Sequence, residues 1–145
     1  MDGADRHDKP RAFDAREGGS FRISLTYDAP TGTGKTSAHT DTYHGCFVKL
    51  VTNEQVVEVV EFETTDPALQ GEMTITITLA DVDGGTDILA VHDGLPPGIP
   101  TADNEAGWRS SLAKLAALVE ARYYHLLDHF IRCASWIGRR FCSVP

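Results

Sequence analysis

The sequence predicts an α+β fold, an antiparallel sheet of about five strands with one long helix packed across it. Three observations predict it. Apolar and polar residues alternate with a period of two through most of residues 21–92. The segment GLPPGIP at 94–100 then stops the alternation, because proline cannot continue a strand ladder. Beyond Pro100 the apolar period becomes 3.6.

Phe21, Ile23, Leu25 and Tyr27 alternate with Arg22, Ser24 and Thr26, the pattern of a half-buried antiparallel strand. The loop DAPTGTGKTS leads to a second strand around Thr42–Val51, and a TNEQ turn leads to a third over Val56–Glu63. After the loop TTDPALQG comes the cleanest alternation, Met73, Ile75, Ile77 and Leu79 against Thr74, Thr76 and Thr78. Asp83-Gly84-Gly85 is a strong hairpin signal, and Thr86–His92 returns as the fifth strand. In the helix, Thr101 or Asp103 can cap the start, and Glu105 suits the positive end of the dipole. Trp108, Leu112, Leu115 and Val119 form one apolar stripe, which Tyr123, Leu126, Leu127, Phe130, Ala134 and Ile137 extend. A single helix over 103–137 would be about 50 Å long, longer than a domain about 35 Å across. The tail must therefore break into a second helix or meet another chain. The chain divides into a flexible lead-in at 1–12, a folded domain at 13–121 and a basic, helical tail at 122–145.

The chain has 145 residues, 41% of them hydrophobic, and a formal net charge of −8. Residues 1–121 hold 9 Lys/Arg against 20 Asp/Glu, whereas 122–145 hold four arginines against Asp128. An acidic body excludes the clustered basic face that nucleic acid requires. No apolar run is long enough to span a bilayer, and the polar start lacks a signal-peptide core. Cys46, Cys133 and Cys142 lack paired spacing, which suits reduced thiols and a cytoplasmic protein.

Four groups of residues invite a functional reading. Residues 29–36, APTGTGKT, resemble a loose phosphate loop, but such a loop needs a following helix to present its amides. Here a strand pattern follows, so Lys35 reads as a solvated loop tip. His125, His129 and Cys133 repeat every four residues, yet the third lies too far along to share one ion, and a polar helix edge explains them. Glu58 and Asp87 alternate with apolar neighbours and read as facing water, like the other strand carboxylates. Tyr43, Phe47, Met73, His92 and Trp108 fit a core, or the wall of an apolar cavity with polar handles.

Four segments together resemble the START-like (SRPBCC) superfamily, in the branch related to the activator of the 90-kDa heat-shock chaperone ATPase. They are FDAREGGSFRISLTY (13–27), HTDTYHGCFVKLVTNEQVVEVVEFET (39–64), LQGEMTITITLADVDGGTDI (69–88) and HDGLPPGIPTADNEAGWRSSLAKLAALVE (92–120). The resemblance implies a helix-grip, a sheet curled around the helix with an elongated apolar cavity between. It implies a non-enzymatic module that binds a lipophilic small molecule or acts in stress and chaperone association, and it supplies no catalytic residue, metal or cofactor. On that reading Phe47, Val59, Met73, Ile75 and Trp108 line the wall, with Tyr43 and His92 as polar handles. Relatives begin with a further strand and two short helices, so the expectation is an incomplete grip whose open edge, or whose tail, invites a homodimer. Two alternatives stand beside it, a cyclase- or hydrolase-like enzyme with His92 or a buried carboxylate as base, and a truncated family member that has lost its function.

Overall fold

The computed structural model describes residues 13–26, 35–36, 40–120 and 140–144. The alternating segments form strands β1 (Ser20–Thr26), β2 (Thr40–Val51), β3 (Gln55–Phe62), β4 (Met73–Val82) and β5 (Gly85–Asp93). Helix α1 (Thr101–Glu120) follows, and then a sixth strand, β6 (Arg140–Val144). All six strands lie in one antiparallel sheet in chain order, β1-β2-β3-β4-β5-β6. The fold is α+β, with the sheet and helix in a helix-grip arrangement.

Local chemistry explains the turns. Val82 pairs with Gly85 across Asp83-Gly84, and Gly84 takes φ +82°, the left-handed conformation a tight hairpin requires. Asn53 does the same work between β2 and β3 at φ +62°, where its short amide tolerates that region. A bulge after Phe47 leaves Val48 unpaired and restores the register at Lys49.

The strand registers sort the side chains onto two faces. Phe21, Gly45, Val60 and Met73 fall in one row, and Phe47, Glu58, Ile75 and His92 in the next. Both rows face the same way, and that face carries the core: Phe21, Phe47, Val60, Met73 and Ile75, with Trp108 of α1 packed against them. Gly45 has a steric reason, because a Cβ there would run into the Val59 carbonyl oxygen and would lie 2.8 Å from a Val60 methyl and 2.9 Å from the Phe21 ring.

Three sequence expectations change. The helix begins at Thr101 rather than being capped by it or by Asp103; Pro100 holds the cap position and its carbonyl accepts from the amides of Asp103 and Asn104, both at 3.1 Å. The buried line of α1 is Trp108, Leu112 and Ala116, packed on Ile88, not the stripe through Leu115 and Val119. Leu115 and Val119 are exposed, Val119 by 50%. A helix repeats every 3.6 residues, so positions four apart stay on one face while small Ala116 hides the line from a hydrophobicity count. Finally, the end of the tail at Arg140–Val144 is a strand beside β5, so the sheet has six strands where five were expected; the aromatic and β-branched run there suits a strand. The rest of the expected tail helix and the lead-in at 1–12 lie outside the described residues. Among the described residues no helix is long and apolar enough to cross a membrane.

Candidate functional site

The row Phe47–Glu58–Ile75–His92 crosses four adjacent strands on the inward face. It places a carboxyl group and an imidazole on one apolar wall, with two strand spacings, roughly 10 Å, between their backbones. Tyr43 lies one row beyond Gly45 on the same face, its ring edge-on to Phe21 at 6.4 Å and to Phe62 at 6.2 Å.

His92 is the most constrained of these groups. Its Nδ1 accepts from the indole Nε1–H of Trp108 at 3.1 Å and from the amide Nδ2 of Asn104 at 3.2 Å. An indole nitrogen can only donate, so Nδ1 carries no proton and the neutral ring is protonated at Nε2. That Nε2–H points at the Met73 sulfur, 3.2 Å away. Burial lowers the His92 pKa, partly opposed by the Asp93 carboxylate. The ring is a neutral pin joining β5, β4 and α1. Its basic lone pair is already occupied, so it is not placed to take a proton from a ligand.

Glu58 stands differently. Burial raises its pKa, and its charge in turn raises that of Tyr43, whose own burial acts first in the same direction. Among the described residues no hydrogen bond or ion pair reaches the Glu58 carboxyl or the Tyr43 hydroxyl. A second inward carboxylate, Asp41, is only 4% exposed, yet it is satisfied. It accepts from the Lys35 backbone amide and from the Lys35 ammonium, the latter at 2.8 Å, and that ammonium also sits over the Phe62 ring.

The site residues expected from sequence therefore divide. Tyr43, Phe47, Met73, Ile75 and His92 share the inward face, and Trp108 reaches them from α1. Val59 does not: it pairs with Cys46 and Thr74 and lies on the opposite face. The strand QVVEVVEF carries valines at both parities, so alternation cannot choose its face; the pairing of Val60 with Met73 does. The same register turns Glu58 inward, against the expectation that it faces water, while Asp87 pairs with Ala80 on the outward face. Lys35 is no solvated tip, because Asp41 holds it, and β2 rather than a helix follows the loop. Asn104 and Asp41 were not singled out by sequence; counting back in twos from Tyr43 would have reached Asp41, whereas nothing local marks Asn104. His125, His129 and Cys133 lie outside the described residues.

Comparison with known proteins finds a matching family and solved structures of similar fold. The family described as Activator of Hsp90 ATPase homolog 1-like protein matches residues 7–120. The X-ray crystal structure of protein CV1439 from Chromobacterium violaceum is similar, with a TM-score of 0.64 and 34% sequence identity over 74% of this chain and 68% of that one. No curated protein matches the chain.

Proposed function

Because the chain belongs to the family of Activator of Hsp90 ATPase homolog 1-like proteins, we propose that it is a non-enzymatic START-like module that holds a lipophilic small molecule between the sheet and α1. The family supports a ligand-binding or chaperone-associated module in general. The observation that favours ligand binding is the inward wall itself. Phe47, Ile75 and Trp108 supply apolar area there, beside a carboxyl and a phenol that the described residues leave without hydrogen bonds. Apolar lining with a few polar groups is the usual chemistry of a small-molecule site. The occupied lone pair of His92 argues against the reading in which that imidazole is a base. An enzymatic reading would rest on Glu58 instead, as a proton donor or acceptor.

The reading places the protein in the cytoplasm, in keeping with the free thiol of Cys46, and includes a homodimer formed along the edge of β1. Within β1, the edge away from β2 takes one bridge among the described residues, Phe13 to Phe21. Native mass spectrometry of the full chain as purified, beside a denatured run, tests both parts. The expected result is a reproducible extra mass that disappears on denaturation, carried by a dimer. Bare protein that also takes up no lipophilic probe would overturn the ligand reading, and a monomer at all concentrations would overturn the dimer.

A further inference from the structure

We propose that the ligand of the inward wall is a lipophilic cation, an amine with an apolar body whose ammonium group meets the Glu58 carboxylate. The inference rests on the lipophilic-ligand reading above and sharpens it to one charge.

Two carboxylates of the inward face, Asp41 and Glu58, stand in contrasting states. Asp41, at the β1 end, is neutralised from within by Lys35, whose side chain is 29% exposed and folded over Phe62. Glu58, in the middle of the wall, has no such counterpart among the described residues. Of the other described cations on the neighbouring strands, Arg22 and Lys49 have the outward register, and Arg22 is held there by a bidentate pair with Glu63 at 2.8 Å. Arg109 on α1 pairs with Glu105 one turn earlier. A carboxylate among apolar side chains is costly unless a charge or hydrogen-bond donors meet it, and the opposing row offers neither. Phe47 lies directly across from Glu58 in the ladder and Tyr43 stands two rows on. Aromatic rings beside a carboxylate suit an alkylammonium, since ring faces attract a cation that the carboxylate anchors. An anionic amphiphile would instead set two negative charges together in a poorly solvated place.

The test compares three probes with one chain length: decylamine, decanol and decanoate, each below its micellar concentration. Each is titrated into the full chain and into the Glu58→Gln variant by calorimetry. Decylamine should bind about tenfold or more tighter than decanol, the size of one charge-assisted hydrogen bond, and decanoate should bind weakest. In Glu58→Gln the advantage of the amine over the alcohol should vanish. Equal binding of amine and alcohol by the wild type would overturn the proposal and leave the lipophilic reading standing. Binding of none of the three would overturn that reading first. A circular dichroism spectrum shows whether Glu58→Gln folds; if it does not, the ranking of the three probes on the wild type decides alone.

Discussion

At the residue scale, two inward titratable groups, Glu58 and His92, make opposite demands on pH. Glu58 has a raised pKa in the fold, so the unfolded chain ionises first as pH rises through the ordinary carboxylate range. Stability is highest below that range and declines until Glu58 itself ionises. Glu58→Gln removes this decline: its melting temperature should exceed the wild type's at pH 8 and approach it at pH 4. His92 has a lowered pKa, so the unfolded chain takes the proton first as pH falls below about 6.5. Its contribution is complete above that value and is lost on acidification. Protonated Nδ1 would also confront the Trp108 and Asn104 donors, so acid should loosen α1. Thermal melts from pH 8 to 5 should show a steeper fall in the wild type than in His92→Gln, which starts lower because its pin is gone. A fall equally steep in both would exclude His92 as the cause. That His92 and Trp108 lie at the inward face was legible from the strand alternation and the helical period. Their hydrogen bond was not, since it joins residues from two elements whose separation no local pattern fixes.

At the element scale, legibility followed how sharply each strand distinguishes its faces. β4 alternates threonine with large apolar residues, and its inward set of Met73, Ile75 and Ile77 was readable directly. β3 offers valine at both parities, which is why Val59 was assigned to the wrong face and Glu58 to water. In α1 the long apolar stripe suggested Leu115 and Val119, whereas the buried line passes through Ala116; Leu118, at 66% exposed, belongs to neither. The end of the tail became a strand because β5 offers it an unpaired edge, a partner that sequence periodicity does not see. Gly45 gives the sharpest test of how β2 packs against β1 and β3. A methyl group there meets Phe21 and Val60 below normal contact distances, so Gly45→Ala should destabilise the protein by about 1–3 kcal/mol, the usual range for overpacking. Denaturant unfolding measures this. A variant as stable as the wild type would mean that the Val59 carbonyl, Val60 and Phe21 do not crowd Gly45 as the structure places them.

At the scale of the whole molecule, the sheet and α1 leave an apolar layer between them among the described residues, and the proposed ligand binding rests on that layer. The family and the sheet-then-helix order were legible together, because hydrophobic period, a proline stop and a change of period survive without knowledge of contacts. What the layer would hold on the proposed reading was not legible, since that depends on Glu58 facing inward and on His92 being tied up by α1. The central claim is that a lipophilic molecule enters this layer. The most direct measurement is a two-dimensional NMR titration of the 15N-labelled full chain with decanol. Shifts should centre on Phe47, Ile75 and the indole Nε1–H of Trp108, with the outward residues Thr74, Thr76 and Val59 much less affected. Shifts confined to that outward face, or none up to the solubility limit of the probe, would contradict the claim.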